Sequence, residues 1–244
     1  MMSQRKMISA TTAFRLPSVI VIDDKGKKTI ILMPKKMSKS FFFFKRAFDL
    51  VMSFFAIVFL SWLLLIILLV ETIATKGHPI FADKRVGKGG KDILVFKFRT
   101  MYNDAEENID KYLTKKQKRQ WLRERKVDND PRVSKHGSFL RKTSLDELPQ
   151  LFNIFIGTMS FVGPRPMTRR EVEQGYTLEQ QDILLGTRPG LTGTWQVEGR
   201  EITEFKSGKR QYLDLIYFEK RSIWYDLKVI FKTIPAVLKQ KGAK

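Results

Sequence analysis

Cysteine is absent from this chain of 244 residues, and histidine occurs only twice, as His78 and His136. The absence of cysteine excludes disulfides, iron–sulfur clusters, thiolate zinc sites and a cysteine nucleophile. Two histidines are too few to favour a histidine-built zinc site. Any bound metal is therefore expected to be a hard cation held by carboxylates and phosphate, which suits Mg²⁺.

Acidic residues are also scarce, with 25 Asp and Glu against 45 Lys and Arg, and the formal net charge is +20. Such an excess predicts a polyanionic partner, either nucleic acid or an anionic membrane surface. Aromatic stacking platforms for nucleic acid are few in the densely basic stretch from Lys111 to Lys126, which holds only Tyr112 and Trp121. No nucleic-acid recognition motif is present, so the composition favours the membrane.

Charge is missing altogether from the 20 residues between Val51 and Val70. As a helix they would measure ~30 Å, about the thickness of the hydrocarbon core of a bilayer. A spanning helix should have a basic flank on its cytoplasmic side only, yet lysine and arginine flank this run on both sides. We therefore predict a re-entrant helix that bends near Ser61, whose hydroxyl can bond back to a carbonyl. A straight crossing and a helix buried in a soluble core are the alternatives.

The chain divides into three segments. Residues 1–40 form a basic extension in which two apolar stretches, Ser18–Asp23 and Thr29–Met33, predict a β-hairpin that turns near Gly26. Residues 41–75 are assigned to the membrane helix, and residues 76–244 to a cytoplasmic domain. Near the end of that domain, Tyr212 to Lys239 has the alternating apolar and basic residues of an amphipathic interfacial helix.

Two adjacent carboxylates, Asp146 and Glu147, follow Arg141 and Lys142 and precede an apolar stretch containing Pro149. They could act at one site as nucleophile and as general acid/base or metal partner. The alternative is an ordinary helix N-terminus, with Ser144 as the cap and the acids placed favourably for the helix dipole. The residues by themselves leave both interpretations open.

Several cations occur in settings that suit phosphate. Lys97 and Arg99 lie one residue apart at a predicted strand end, Arg165 lies between two prolines, and Arg188 precedes Pro189 and Gly190. Arg141 joins them because it is close to the two carboxylates. The planar guanidinium matches phosphate oxygens, although an ordinary surface loop is the alternative for each segment.

The order of these segments resembles the bacterial sugar transferase family, the monotopic polyprenyl-phosphate phosphoglycosyl transferases. The resemblance extends over about residues 41–240, in family order. The matching segments are Lys45-Arg-Ala-Phe-Asp49, Lys97-Phe-Arg-Thr-Met101, Asp130-Pro-Arg-Val133, Phe139-Leu-Arg-Lys-Thr-Ser-Leu-Asp-Glu-Leu-Pro-Gln-Leu151, Met159-Ser-Phe-Val-Gly-Pro-Arg-Pro166, Arg188-Pro-Gly-Leu-Thr-Gly193 and Trp195-Gln-Val197.

This resemblance implies an α+β fold: a compact catalytic domain with an N-terminal re-entrant membrane helix and amphipathic interfacial helices. It implies transfer of a sugar 1-phosphate from a UDP-sugar to undecaprenyl (polyprenyl) phosphate, giving a polyprenyl diphosphate sugar and UMP. In the family this is the first membrane step in the assembly of exopolysaccharide, capsule, O-antigen or glycoprotein glycan. The family's acidic dyad falls on Asp146 and Glu147, with the aspartate as covalent nucleophile and Mg²⁺ as cofactor held at the dyad.

The resemblance further implies that the catalytic domain lies on the cytoplasmic face of the bacterial inner membrane, in contact with anionic lipids, and it leaves a homo-oligomer open. We assign Lys97, Arg99, Arg141, Arg165 and Arg188 to substrate phosphates. Many relatives have proline after the serine at the middle of the membrane helix, whereas Trp62 follows Ser61 here, which removes the strongest cause of a bend. The alternative function is a membrane-anchored basic scaffold or a nucleic-acid-binding protein, which would not need the dyad and the arginine loops in this order.

Overall fold

The computed structural model describes residues 19–22, 28–31, 36–105, 107–124, 127, 129–198 and 209–238. The described helices are α1 (Lys39–Ala74), α2 (Ile109–Tyr112), α3 (Lys115–Glu124), α4 (Lys135–Thr143), α5 (Gln150–Ile156), α6 (Arg169–Gly175), α7 (Leu178–Leu185), α8 (Thr194–Glu198), α9 (Lys209–Lys220) and α10 (Ile223–Leu238), with 3₁₀ turns at Lys88–Gly90 and Leu145–Glu147. The described strands are β1 (Val19–Ile22), β2 (Lys28–Ile31), β3 (Ile80–Val86), β4 (Asp92–Phe98), β5 (Ser160–Val162) and β6 (Gly190–Thr192). This mixture of helices with small sheets confirms the predicted α+β class.

Helix α1 has 36 residues and is therefore ~54 Å long. Ser38 caps it by accepting a hydrogen bond from the Phe41 N–H at 3.2 Å. Within the described part of the chain it is the one helix long and apolar enough to cross a membrane, and most of its apolar surface is exposed. It continues through Ser61 without interruption, and the Ser61 hydroxyl donates to the Val58 carbonyl at 2.8 Å. The re-entrant course of this helix stays a prediction.

One face of α1 contacts the domain along almost its whole length. Its middle packs, through Ala56, Ile57 and Leu60, on a cluster formed by β4, α5 and the start of β5. Its second half packs, through Leu64 and Ile67, on the end of β4, on α4 and on the turn that follows α4. Lys45 near the start of the helix and Glu71 near its end are also buried and contact Asp226 and His136, so both ends lie against the same domain.

Buried polar groups anchor the first half of α1. The Lys45 ammonium donates to Asp226 of α10 at 2.6 Å and to the Val162 carbonyl of β5 at 2.9 Å. One turn later, the Asp49 carboxylate accepts from the Ser160 hydroxyl and the Phe161 N–H, both at 3.1 Å. These charge-assisted bonds fix the helix to β5 and α10.

Two small sheets shape the domain. Strands β3 and β4 form an antiparallel hairpin from Ile80 opposite Phe98 to Val86 opposite Asp92, and β5 pairs with β6 in parallel. Asn153 of α5 joins a helix to the hairpin, since its side chain donates to the Leu94 carbonyl at 2.7 Å and accepts from the Phe96 N–H at 2.9 Å. The position of α5 is thus fixed relative to β4.

Two predicted elements near the chain ends can be compared with the structure. Strands β1 and β2 pair antiparallel, and the turn predicted near Gly26 lies outside the described residues. The single amphipathic helix predicted from Tyr212 to Lys239 is wrong as one element, because α9 and α10 are separate. Most of α9 is buried in the core, whereas α10 exposes Trp224, Phe231 and Ile234. Amphipathic character therefore belongs to α10.

Candidate active site

The carboxylates Asp146 and Glu147 lie in the 3₁₀ turn between α4 and α5. Ser144 ends α4 in a left-handed conformation, with φ 57° and ψ 19°, and makes no side-chain cap to the turn. Of the helix-N-terminus alternative, the side-chain cap by Ser144 is therefore absent, while both acids do lie in the first turn of this 3₁₀ element. Leu145 and Leu148 pack beside the second half of α1, so apolar side chains on both sides of the dyad attach this turn to the long helix.

Two cations come from different elements to meet the dyad. The Lys97 ammonium of β4 lies 3.4 Å from a Glu147 carboxylate oxygen. Arg141, in the last turn of α4, donates through Nε to the Thr100 hydroxyl at 2.8 Å and acts electrostatically on Asp146. The structure thus brings four of the predicted site residues into one cluster.

The electrostatics of this cluster are dominated by burial. Burial and, to a smaller extent, the neighbouring Glu147 charge raise the pKa of Asp146 to about 6, against the opposing effect of Lys97 and Arg141. Burial disfavours the charged form of Arg141 as well, and therefore lowers its pKa, while the charge of Asp146 opposes this shift. A carboxyl group in such surroundings can change its protonation state near neutral pH, which is a common property of catalytic acids and bases.

Gly137 explains how Arg141 reaches this position, and our sequence analysis missed it. A Cβ atom at Gly137 would lie 2.1 Å from the Thr100 carbonyl oxygen, so only glycine lets α4 approach the end of β4 this closely. Ser134, the N-cap of α4, adds bonds to the same carbonyl from its N–H at 3.1 Å and its hydroxyl at 3.3 Å. The signal that could have indicated this contact was a glycine inside a helical pattern.

The other three predicted cations are directed to different neighbours. Arg99 donates to the His78 carbonyl at 2.8 Å and lies over the Phe81 ring. Arg165 lies 5.3 Å from the centre of the Trp195 ring, and Arg188 donates to the Gly157 carbonyl at 2.6 Å. None of the three is among the charged groups that act on the pKa of Asp146. Their contact with substrate phosphates stays a prediction.

Arg188 lies close to Arg46, a residue that belongs to the family segment Lys45–Asp49 but to which the sequence analysis assigned no role. Arg46 donates to the Ile154 carbonyl at 2.6 Å and to the Phe155 carbonyl at 2.7 Å. Together the two arginines satisfy carbonyls at the C-terminal end of α5, where cations also oppose the helix dipole. The helix that follows the dyad is thereby held at its far end.

The donor set at the dyad fits a divalent cation completed by substrate. Magnesium keeps several waters and usually takes one or two protein carboxylates together with substrate phosphates, and Asp146 and Glu147 supply two carboxylates. Among the described residues, no group of three or more His, Cys, Asp or Glu side chains could hold a metal by itself. A magnesium requirement stays a prediction.

The sequence is similar to known proteins over most of its length. Residues 40–240 match the family described as "Bacterial sugar transferase". The chain is 39% identical over 201 residues to the undecaprenyl-phosphate galactose phosphotransferase of Salmonella typhimurium, covering 82% of this chain and 41% of that protein. It is 40% identical over 199 residues to the UDP-glucose:undecaprenyl-phosphate glucose-1-phosphate transferase of Klebsiella pneumoniae, covering 78% and 39%.

A shorter relative matches over most of its length. The exopolysaccharide production protein ExoY of Rhizobium meliloti is 38% identical over 201 residues, which cover 82% of this chain and 87% of that protein. The chain spans about two-fifths of the length of the two phosphotransferases named above. Since the family match covers most of the sequence, the chain belongs to the bacterial sugar transferase family.

Proposed function

We propose that this protein transfers a sugar 1-phosphate from a UDP-sugar to a polyprenyl phosphate such as undecaprenyl phosphate, giving a polyprenyl diphosphate sugar and UMP. The observation that supports this most strongly is the carboxylate dyad beside Lys97 and Arg141, with Asp146 buried, on a turn that packs against a long exposed apolar helix. A charged site next to a membrane-binding surface suits one water-soluble and one lipid-bound substrate. The names of relatives, which specify UDP-glucose or galactose and undecaprenyl phosphate, support the same substrates.

The proposed chemistry has two steps with Asp146 as nucleophile. A carboxylate oxygen of Asp146 attacks the sugar-bearing phosphorus of the donor, and the bond from that phosphorus to UMP breaks, with the electron pair leaving on UMP. A phosphate oxygen of the acceptor then attacks the same phosphorus and restores the carboxylate. Taking the two polyanionic substrates in turn avoids holding both together, and Lys97 and Arg141 offset the charge of the phosphoryl group.

Asp146 and Glu147 would hold Mg²⁺ together with oxygens of the donor diphosphate. Bound there, the metal offsets the repulsion between carboxylate and phosphate. Glu147 also keeps Lys97 close to the site through their 3.4 Å contact.

We further propose that the domain rests on the cytoplasmic face of the inner membrane. Helix α1 runs through Ser61 without interruption, but both of its ends contact one domain, through Lys45 near the start and Glu71 near the end. A re-entrant course, with both ends at the same face, would account for its basic flanks on both sides. Helix α10 exposes Trp224, Phe231 and Ile234 together with Lys228 and Lys232. Such a combination of apolar and basic side chains suits the headgroup region of an anionic bilayer.

A burst assay tests the chemistry. The enzyme in lipid vesicles is mixed with UDP-glucose or UDP-galactose before any acceptor is added. We expect UMP release of about one per enzyme, and a phosphosugar mass adduct on the peptide that contains Asp146. Asp146→Asn should lose both signals. Release of UMP only when both substrates are present, with no adduct, would refute the covalent route, and absence of any lipid product would favour the scaffold alternative.

A further inference from the structure

Glu71 is a buried carboxylate that the proposed chemistry does not use. It lies in the last turns of α1 with only 1% of its side chain exposed, and its Oε2 atom has no hydrogen-bond partner. The nearest cation-forming group is the ring of His136, whose Nε2 lies 3.5 Å from that oxygen. Buried carboxylates are costly unless a charge or a donor accompanies them, so His136 is the natural partner of Glu71.

His136 connects Glu71 to the active site through short polar contacts. Its Nε2 lies 3.0 Å from the hydroxyl of Ser134, and Ser134 bonds to the Thr100 carbonyl. The hydroxyl of Thr100 in turn accepts from Arg141. A continuous series of contacts therefore extends from the end of the membrane helix to the arginine beside Asp146.

The apolar contacts between α1 and the catalytic turn cannot set an exact position by themselves. Leu140, Leu145 and Leu148 pack around Leu64 and Ile67, and such packing is largely non-directional. The contact between Glu71 and His136 is an ion-pair contact at 3.5 Å and not a hydrogen bond, yet removing His136 would leave the Glu71 carboxylate buried without an opposite charge. The contact between Glu71 and His136 is thus suited to fix how far along α1 the catalytic turn lies.

We propose that Glu71 and His136 are positioning residues that set the location of the catalytic turn along α1, and hence its alignment with the lipid acceptor. This inference rests on the proposed function. The acceptor's phosphate is held at the membrane surface, to which α1 fixes the domain, whereas the soluble donor reaches Asp146, Lys97 and Arg141 from water. Losing the pair should therefore impair use of the acceptor much more than formation of the covalent intermediate.

The test compares His136→Ala, His136→Gln and a control variant, His78→Gln, in the full chain in lipid vesicles. His78 is the other histidine of the sequence and its side chain is exposed. We expect His136→Ala to raise the KM for undecaprenyl phosphate about tenfold while reducing the acceptor-free UMP burst much less. His136→Gln should recover most of the parent value because an amide can still donate to Glu71, and His78→Gln should match the parent.

Glu71→Gln provides a second variant that keeps the side-chain shape and removes the buried charge. We expect it to raise the acceptor KM as well, and the double variant Glu71→Gln/His136→Ala to be no worse than the more impaired single variant. Three results would each overturn the inference. The first is an acceptor KM in His136→Ala equal to that of the parent, and the second is a UMP burst in that variant reduced as much as turnover. The third is additive effects in the double variant. Failure of the proposed function differs visibly, since the parent itself would then make no lipid product.

Discussion

Asp146 is the side chain whose surroundings matter most for the proposed chemistry. Burial and the Glu147 charge raise its pKa to about 6, and only the ionised carboxylate is a nucleophile. We therefore expect the rate of acceptor-free UMP release to fall as the pH drops through about 6, since Asp146 then becomes protonated. A stopped-flow series between about pH 5 and about pH 8 measures this.

The matched variant for this prediction is Glu147→Gln, which removes a negative charge that raises the pKa of Asp146. Its midpoint should move to lower pH, even if its maximal rate is reduced. A midpoint that stays at the parent value would show that another group controls the profile.

Arg141 should be sensitive to a change that keeps its charge. Its guanidinium bonds to Thr100 and acts on Asp146, and a lysine cannot reproduce both contacts through a planar fork. We expect Arg141→Lys to lose about tenfold in turnover, or ~1.4 kcal/mol in the transition state. Arg169→Lys is the control, because Arg169 is about half exposed and pairs with Asp92; equal losses in both variants would contradict a specific role for Arg141.

Helix α4 depends on its close approach to the end of β4. In Gly137→Ala the added Cβ would meet the Thr100 backbone carbonyl at 2.1 Å, which a side-chain rotation cannot relieve. We expect a loss of about 1–3 kcal/mol in the free energy of unfolding, typical of overpacking, together with a drop in turnover because Arg141 moves. Thermal unfolding in detergent and a turnover assay measure the two effects.

Gly186→Ala is the comparison for this substitution. Gly186 ends α7 with φ −67°, an ordinary value for any residue, and its nearest neighbour would be 3.2 Å from the new Cβ. Gly186→Ala should lower the free energy of unfolding clearly less than Gly137→Ala. Similar losses at the two positions would mean that the approach of α4 to β4 is not critical.

Helices α1 and α10 are joined by the ion pair of Lys45 and Asp226, in which each side chain is about a tenth exposed. We expect Lys45→Met to cost about 3–5 kcal/mol, because it leaves Asp226 buried without its counter-charge. Lys232→Met is the control, since the pair of Lys232 with Glu198 is far more exposed and should contribute about 0–1 kcal/mol. Thermal unfolding of both variants measures these losses. Equal stability of Lys45→Met and Lys232→Met would contradict the anchoring role of Lys45.

The orientation of the whole molecule depends on the two ends of α1. Ser38 and Lys76 lie just outside the helix and are both exposed, and the absence of cysteine makes single reporters unambiguous. If both ends face the cytoplasm, Ser38→Cys and Lys76→Cys should each resist a membrane-impermeant maleimide in intact cells and react after permeabilisation. Labelling of just one of them in intact cells would establish a spanning helix.

Prediction from sequence was most successful where chemistry and short motifs coincide. Asp146, Glu147, Lys97 and Arg141 meet as one cluster, and the dyad lies in a 3₁₀ turn that the sequence analysis did not predict. Propensity rules could not anticipate that turn, because packing of Leu145 and Leu148 on α1 overrides local preference. The direction of a long arginine side chain is set by neighbours that are distant in sequence. Arg188, for example, donates to the carbonyl of Gly157.

The sequence by itself determined the absence of thiol chemistry, the basic character, the apolar helix and the order of motifs that identifies the family. These properties are local or compositional, so no folding is needed to read them. Only the tertiary structure decided that Gly137 meets Thr100, that Lys45 pairs with Asp226, and that Glu71 faces His136. Lys45 and Asp226 are separated by 181 positions along the chain. Side-chain periodicity carries information over only a few turns, so contacts between elements this distant arise from packing of the complete chain.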